Sequence, residues 1–282
     1  MLEILSIGSG LSIQDRGRDG WRRFGVPAGG AMDTRSMALA NALLGNPRDA
    51  AVIEVVQQGA KIRLLTDSWL ALAGGDFCSR CASGTAMPFA RGQVLEFDQK
   101  SAGLYAYLAL PGGVEVERWL GSAAIDARNG MGIALQKGSH IAAQLTQPKI
   151  STQAVARRIS SIKLDHIPAG KAHFSLYPGP QFDAFEPRVR QCFLEHEWTV
   201  SPRSDRTGYR LEGTKLDIPQ SIASEPVLPG SFQIPGNGQP IITMADGPTV
   251  GGYPQLALLA AGDLDRLAQC APGTKLTFSW LQ

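Results

Sequence analysis

The amino-acid sequence predicts a mainly β protein, organised as two β-rich halves with a few short helices. Short apolar runs of strand length recur along the chain, and 32 glycines and 18 prolines among 282 residues supply the turns between them. No alternation of strand and helix is visible, so a parallel sheet wrapped by crossover helices is not indicated. Charged residues make up only 18% of the chain, and a chain of this length can bury a substantial core.

The strands of the first half are predicted from their apolar patterns. The run from Leu104 to Leu110 is apolar throughout, which is typical of a strand buried on both faces, and a Pro-Gly-Gly sequence ends it. The other segments that we interpret as strands are Leu2–Ile7, Ala60–Leu65, Trp69–Ala73 and a stretch that ends at Leu95–Phe97.

A helix is predicted after Asp33. This residue is a good N-cap, because its carboxylate can accept hydrogen bonds from first-turn amides. Apolar residues then recur at helical spacing until a Gly and a Pro stop the pattern, so the helix should run from about Thr34 to Leu44. A strand over residues 51–56 follows. Glu54 lies between valines in this strand, and such a carboxylate either reaches the sheet edge or is buried and paired.

The second half begins after a polar stretch with no strong period. We place the boundary near residue 155, which gives halves of residues 1–155 and 156–282. Gly236-Asn237-Gly238 is typical of a hairpin turn between two apolar strands, the second of which ends at Asp246. Leu256 to Cys270 is predicted to be helical. The other predicted strands are Lys171–Tyr177, Trp198–Ser201 and Lys275–Trp280.

Composition and charge argue against several classes of function. The formal net charge is +2 and the basic residues are spread without a run, so nothing indicates a nucleic-acid-binding protein. The N-terminal apolar stretch is too short, and carries an acid too early, for a signal peptide. No apolar run approaches membrane-spanning length. We therefore expect a cytoplasmic protein with no membrane partner.

Motifs for metals, nucleotides and nucleophiles are also absent from the sequence. Cys78 and Cys81 form a single C-x-x-C pair with no second pair or H-x-x-x-H spacing, so we expect reduced thiols without a function and no metal. There is no G-x-x-x-x-G-K-[ST] loop for a nucleotide and no G-x-S-x-G elbow for a serine nucleophile. No lysine lies between two methionines, as it would in a biotin carrier.

Two glycine-broken loops bracket the predicted helix and are rich in Gln, Asp and Arg. Glycine suits a backbone that must approach a ligand closely. For Asp15 and Arg18 the alternative is a solvated loop that makes its own turn hydrogen bonds, and spacing alone favours that alternative. Glu54 is a better candidate, because a lone acid in an apolar strand needs an explanation.

Two clusters in the second half carry further candidates. Arg206 precedes a Thr-Gly pair and suits bidentate capture of a carboxylate or phosphate. An equally good alternative is an ion pair with Asp205 or Glu212 that pins the loop. Asp246 ends a predicted strand beside a Gly-Gly loop that carries Tyr253, which is a common way to place an acid or base in a pocket. The alternative there is a structural Asx turn.

The chain resembles the KipA family, also called PxpC or allophanate hydrolase subunit 2. The resemblance rests on the runs QDxGRxG, GVPxxGAMD, ANxLLGN and IExxxQG in the first half, and on SDRxGYRLEG, QIP and GGYP in the second, all in the family's order. It extends over nearly the whole chain. The same module is similar to part of the carboxyltransferase region of urea carboxylases.

By this resemblance the fold would contain cyclophilin-like β-barrels, with loops from both halves around a shared cleft. The chain would be one subunit of a bacterial 5-oxoprolinase, which uses ATP to open the lactam of 5-oxoproline, a cyclic amide, to glutamate. Its partners would be a KipI-like subunit, PxpB, and a LamB/YcsF-like subunit, PxpA. ATP suits this chemistry, because phosphorylating the lactam oxygen creates a leaving group. Alone, the chain is expected to be inactive.

The resemblance also implies which residues face the cleft. Arg18 and Arg206 would hold anionic groups, and Asp15 or Asp246 would position water or a proton. The full set comprises the catalytic candidates Asp15, Asp33, Asp246 and Tyr253, and the substrate-binding candidates Gln14, Arg18, Glu54, Arg206, Gln233, Gly251 and Gly252.

Two other functions stay open at this point. One is a KipA-like regulatory protein, which binds and antagonises a KipI-type inhibitor of a histidine kinase. The other is a biotin-dependent carboxyltransferase component that moves carboxylate from carboxybiotin to a urea-like amide, with biotin on another polypeptide. Under all three functions we expect a stable complex with a KipI-like partner.

The chain departs from the family's usual pattern at a few loop positions. Gly29 and Pro248 stand where the family commonly has Ser and Gln, Ser139 stands where it has Asp, and residues 123–133 replace a hydroxyl-rich stretch. Pro248 removes an amide donor and a side-chain hydrogen-bonding group together. Such changes affect the substrate site far more than the fold.

Overall fold

The structure, a computed structural model, describes residues 1–98, 102–148, 156–158, 168–219, 222–260 and 262–281. The chain divides into two compact units. Unit 1 comprises Met1–Arg18 and Gly29–Ile167, and unit 2 comprises Asp19–Ala28 and Pro168–Gln282. The predicted boundary near residue 155 lies outside the described residues. The segment Asp19–Ala28 therefore belongs to unit 2, although it lies near the start of the sequence.

Unit 1 is built from strands and one α-helix in its described part. The strands are β1 (Leu2–Ile7), β2 (Leu11–Gln14), β3 (Val52–Val56), β4 (Ala60–Leu64), β5 (Ser68–Gly74), β6 (Thr85–Phe89), β7 (Val94–Phe97), β8 (Tyr105–Ala109), β9 (Val114–Glu115), β10 (His140–Ala143) and β11 (Arg157–Arg158), and the helix is α1 (Thr34–Leu43). They form a five-stranded sheet in the order β7-β4-β1-β10-β9 and a six-stranded sheet in the order β11-β6-β5-β8-β3-β2.

The core of unit 1 draws buried apolar side chains from both sheets. Strand β4 alternates, with Ile62 buried between the exposed Lys61 and Arg63, as expected for a strand with one face toward solvent. Strand β8 is buried throughout, because α1 packs against it and against β5 on the face away from this core. This packing accounts for the continuous apolar run that predicted β8.

Unit 2 contains a closed seven-stranded barrel in its described part. Its strands are β12 (Lys171–Pro178), β13 (Trp198–Val200), β14 (Gly208–Glu212), β15 (Glu225–Pro226), β16 (Ser231–Gln233), β17 (Ile241–Thr243), β18 (Val250–Gly251), β19 (Gln255–Leu259) and β20 (Lys275–Trp280), and its helices are α2 (Pro187–Glu195) and α3 (Asp263–Ala268). The barrel order is β12-β19-β16-β17-β14-β13-β20, and β15 pairs with β18 as a separate ribbon. A parallel pairing of β12 with β20 closes the barrel.

Aromatic rings fill the core of unit 2. Phe193 of α2 stacks on Phe278 of β20, with ring centroids 5.2 Å apart, and Phe232 of β16 meets Phe278 edge-on at 5.1 Å. Such geometries add to the stabilisation that comes from burial alone. The mainly β fold class is confirmed. None of the helices in the described part of the chain is both long and apolar enough to cross a membrane.

Two predictions of local structure for unit 2 are wrong, and one helix was not predicted. The predicted helix over Leu256–Cys270 is the strand β19 followed by the short helix α3, because four consecutive apolar residues suit a strand buried between two neighbours as well as a helix. Strand β17 ends at Thr243, so Asp246 lies in the following loop. Helix α2 was not predicted; a proline at its first position starts it.

Candidate functional site

Asp15 lies directly after β2 and joins two loops of unit 1. Its carboxylate is 2% exposed and accepts hydrogen bonds from Ser122 Oγ at 2.5 Å and from the Ala123 amide at 2.7 Å. It also accepts from the Gly17 amide at 2.8 Å and forms an ion pair with Arg118 at 3.0 Å. Asp15 thus holds the loop around residues 118–123 against its own loop.

Arg18 lines a cavity of about 520 Å³ in unit 1. The side chain is 1% exposed. Its Nη2 donates to the carbonyl oxygen of Ala124, and its guanidinium carbon lies 5.8 Å from the centroid of the Trp119 ring. A cation over an indole face is attracted by the ring quadrupole. The cavity therefore contains one firmly placed positive charge.

The rest of the cavity wall is mostly apolar. The polar side chains on it are Ser122, Glu115, Glu117, Ser139 and His140, and the apolar ones are Ile13, Val114, Val116, Ala123, Ala124, Ile125, Ile133, Ala134, Leu135 and Ile141. Its volume falls within the range of small-molecule sites, about 300–1,000 Å³. Much of the segment 123–133, and Ser139, line this wall, so these two departures from the family pattern fall on the cavity, whereas Gly29 and Pro248 are not among its lining residues.

Gln14, the last residue of β2, is fully buried and is not part of the cavity wall. Its Nε2 donates to the carbonyl oxygen of Ile125 at 2.9 Å and to Ser12 Oγ at 3.0 Å. These bonds fix the orientation of the amide, because a carbonyl can only accept. Gln14 therefore supports Ile125, which lines the cavity, from behind.

Asp33 and Glu54 meet in a second network, centred on the hydroxyl of Tyr107. This hydroxyl accepts from the Asp33 amide at 2.7 Å and donates to Glu54 Oε2 at 2.9 Å. Glu54 Oε2 also accepts from the Met32 amide at 2.9 Å. Asp33 caps α1, accepting from both the amide and the hydroxyl of Ser36 at 2.9 and 2.6 Å. Glu54 therefore does not reach the sheet edge. It is buried and paired, which was the other alternative for this residue.

Burial raises the pKa of Tyr107 well above its ordinary value, and the nearby carboxylates of Glu54 and Asp33 raise it further. The phenol consequently stays protonated and keeps donating to Glu54. Asp33, Glu54 and Tyr107 are all fully buried. None of them lines the cavity beside Arg18.

The two networks of unit 1 lie next to each other. The Ala31 amide donates to the carbonyl oxygen of Asp15 at 2.9 Å. Gly30 has a φ of 89°, and a Cβ on it would lie 2.8 Å from the Arg16 backbone. Only glycine allows the loops to approach this closely without strain.

Arg206 and Asp246 form a bidentate ion pair in unit 2. Arg206 Nε and Nη2 lie 2.6 and 2.8 Å from the two carboxylate oxygens, and the side chains are 19% and 10% exposed. The bidentate partner is therefore Asp246, which is distant in sequence, whereas the alternative from the sequence named Asp205 or Glu212. Asp205 instead accepts from the amides of the turn that follows it.

Gln233, Gly251 and Gly252 cluster beside the ribbon of β15 and β18. Gln233 is 6% exposed, and its Nε2 donates to Thr243 Oγ1 at 2.9 Å. A Cβ at Gly251 would lie 2.7 Å from Gln233 Oε1, so glycine allows the amide to pack against the ribbon. Tyr253, in the loop after Gly252, is 50% exposed.

Several residues that build these sites were not predicted. In unit 2, Gln181 Nε2 donates to Glu225 at 2.8 Å, and the Gln255 amide donates back to Gln181 Oε1 at 3.0 Å. Gln181 lies in the run Gly179-Pro180-Gln181 and Glu225 in Ser224-Glu225, two further short runs that resemble the family pattern, and this resemblance was the available signal. In unit 1, Tyr107 was hidden in an apolar run, and Arg118 had no distinguishing pattern.

The cysteines are free thiols. Burial raises the pKa of Cys78, and it raises that of Cys81 to about 12. A thiol in this state is a poor nucleophile at neutral pH. No group of three or more His, Cys, Asp or Glu residues suited to a metal ion occurs among the described residues.

The family model described as "Carboxyltransferase domain, subdomain A and B" matches residues 24–280. Two relatives are named as the C subunits of 5-oxoprolinases. The one from Escherichia coli is 31% identical and the one from Haemophilus influenzae is 32% identical, each over 99% of this chain and 90% of the relative.

Solved structures of similar fold belong to longer chains. The protein TTHA0988 is 30% identical with a TM-score of 0.88, and the Kluyveromyces lactis urea amidolyase is 26% identical with a TM-score of 0.87. This chain spans 56% of the first and 19% of the second, although 99% and 100% of it are covered. The same fold thus occurs there as one part of a larger polypeptide.

Proposed function

Because the chain belongs to the family of the carboxyltransferase domain, subdomains A and B, we propose that it is the C subunit of a cytoplasmic, ATP-dependent 5-oxoprolinase. The observation that carries this proposal is its 31% and 32% identity to two 5-oxoprolinase C subunits over nearly their whole length. The reaction opens a lactam: the C–N bond breaks, the carbonyl carbon gains an oxygen from water, and the ring nitrogen takes a proton.

ATP would transfer a phosphoryl group to the lactam oxygen and leave as ADP. One water would then add to the activated carbon, the C–N bond would break to give an acyl phosphate and a free amine, and a second water would displace phosphate to give the carboxylate. This chain has no P-loop sequence. We therefore assign nucleotide binding to another subunit of the complex, of the KipI-like or LamB/YcsF-like type.

The cavity of unit 1 is the proposed binding site of 5-oxoproline. Arg18 would hold the substrate carboxylate, because a guanidinium matches its geometry and a largely apolar wall strengthens the attraction. The Ser122 hydroxyl already donates to Asp15, so it could only accept a hydrogen bond, for example from the lactam N–H. A five-membered lactam is much smaller than about 520 Å³, so we propose that a segment of a partner subunit fills the remainder. In that case the chain alone would be inactive.

We assign Asp15 and Asp246 positioning roles in the reaction, because both carboxylates are already engaged by named donors. Asp15 fixes the loop that carries Ser122. Asp246 fixes Arg206. Among the candidate residues of unit 2, Tyr253 has an exposed side chain with a hydroxyl, and we assign proton transfer to it.

The test is reconstitution of this chain with its KipI-like and LamB/YcsF-like neighbours, followed by ATP-dependent release of glutamate from 5-oxoproline. In the assembled complex, Arg18→Met should raise the KM for 5-oxoproline at least tenfold. The matched control Arg63→Met removes an exposed arginine of unit 1 that pairs with Glu3, and it should leave turnover unchanged. No turnover by an assembled wild-type complex would refute the proposed activity, and an unaltered KM in Arg18→Met would refute the cavity as the substrate site.

Carboxyl transfer is the second candidate, favoured by the likeness to the urea amidolyase structure at a TM-score of 0.87. It would need a biotin carrier on another polypeptide. Transfer of labelled carboxylate to a urea-like amide, dependent on that carrier and absent with 5-oxoproline and ATP alone, would favour it over lactam opening.

A further inference from the structure

An exposed pair of aromatic rings lies on the segment Asp19–Ala28, which belongs to unit 2. Trp21 is 36% and Phe24 is 62% exposed, and their ring centroids are 5.7 Å apart. The guanidinium of Arg23 lies 4.8 Å from the Phe24 ring. Large exposed aromatic rings are uncommon on a surface that meets only water, and they mark binding sites when they cluster.

Arg22 fastens this segment to the rest of unit 2. Its Nη2 donates to the carbonyl oxygen of Val227 and lies 3.4 Å from that of Pro248. These contacts fix the segment against the backbone at Val227 and Pro248. We call the surface formed by Trp21, Arg22, Arg23 and Phe24 the aromatic-arginine patch.

The charge of this patch is not balanced within the described part of the chain. Arg22 donates to carbonyl oxygens only, and its Nη1 is buried without a hydrogen-bond acceptor among the described residues. Burial lowers the pKa of Arg22, and no carboxylate among the described residues offsets this effect. Arg23 contacts the face of the Phe24 ring. A partner that brings carboxylates would therefore gain ion pairs that this chain does not already make.

We propose that the aromatic-arginine patch is the docking surface for the KipI-like subunit of the complex, which binds it through a segment that combines apolar side chains with carboxylates. Trp and Arg are the residue types in which interface energy concentrates, and Phe is enriched at interfaces with them. This inference rests on the proposed function for the existence of the partner.

The experiment measures the affinity of the purified wild-type chain and its variants for the purified KipI-like subunit by calorimetry. Phe24→Glu should weaken binding more than about tenfold, the range of a hot-spot residue. Arg23→Glu should weaken binding and flatten its dependence on NaCl concentration, because screened ion pairs would be lost. Tyr177→Glu is the matched control: it changes an exposed aromatic residue of the same unit, 48% exposed, and should bind as wild type does.

The outcomes separate this inference from the proposed function. A complex that assembles through the patch but does not open 5-oxoproline refutes the activity and supports the patch. An active complex in which Phe24→Glu and Arg23→Glu bind normally overturns the patch and leaves the activity. Failure of the wild-type chain to bind the KipI-like protein also overturns the patch. Circular dichroism checks that each variant is folded. We expect both to fold, because the side chains of Arg23 and Phe24 are exposed.

Discussion

Replacing Tyr107 with Phe should destabilise unit 1 by about 3–5 kcal/mol. The hydroxyl accepts from the Asp33 amide and donates to the Glu54 carboxylate, and all three groups are fully buried. Losing the acceptor of a buried amide costs about 1–3 kcal/mol, and losing a hydrogen bond to a buried carboxylate costs about 1.5–3 kcal/mol. Water cannot replace the lost hydroxyl without opening the core.

Urea denaturation at pH 7 measures this effect. With a slope of about 2 kcal/mol per M, the midpoint should fall by about 2 M. The control Tyr177→Phe removes the hydroxyl of a tyrosine that is 48% exposed, and should shift the free energy of unfolding by less than about 0.5 kcal/mol. If Tyr107→Phe changed stability no more than this control, the hydroxyl would not hold the network together.

The free energy of unfolding of wild type and of Tyr107→Phe should depend differently on pH in the alkaline range. The pKa of Tyr107 is raised in the folded state above its ordinary value of 10.0. Below about pH 10 the phenol is protonated in both states, and the stabilisation is complete. Above that pH the unfolded chain releases the proton and the folded chain does not, so wild-type stability should fall by up to about 1.4 kcal/mol per pH unit from this group. The gap between wild type and Tyr107→Phe should therefore narrow from about pH 9.5 to about pH 11, and a constant gap would contradict the raised pKa.

Two further predictions concern the loop around Asp15 and the thiols. Ser122→Ala should lower stability by about 1–2 kcal/mol, because it removes a buried 2.5 Å hydrogen bond to Asp15. Arg118→Met should cost less than about 1 kcal/mol, because that side chain is 43% exposed; urea midpoints in the reverse order would contradict the geometry. In thiol labelling with a disulfide reagent at about pH 8, Cys192 should react before the buried Cys81, whose pKa is raised to about 12. Faster labelling of Cys81 would show that its loop opens.

The strands were predictable where local pattern and burial agree. The predicted bounds of β1 match the structure, and those of β20 match as well. The hairpin turn at Gly236–Gly238 joins β16 and β17, which pair as antiparallel neighbours. In contrast, Leu256–Leu259 gave the wrong element, since an apolar run buried on both faces carries no period.

The candidate residues were recognisable, but their partners were not. Asp246 is 40 positions from Arg206 in sequence, so spacing pointed to nearer acids. Glu54 was recognisable as an acid in an apolar strand that needs a partner. The partner is the hydroxyl of Tyr107, which lies 53 positions away within another apolar strand. Hydrogen-bond partners at such separations follow from strand pairing in three dimensions, which local pattern does not encode.

The stretch from Ser12 to Glu54 carries much of the family resemblance, and the structure divides it between two units. Gln14, Asp15 and Arg18 shape the cavity of unit 1, whereas Asp19–Ala28 adds an exposed surface to unit 2. Arg18 and Phe24 are close together in sequence, yet substitutions at these two positions should show their effects in different assays. The first should raise the KM in an assembled complex, and the second should weaken binding of the partner subunit. Separate effects on substrate affinity and on affinity for the partner would therefore be expected from one short motif.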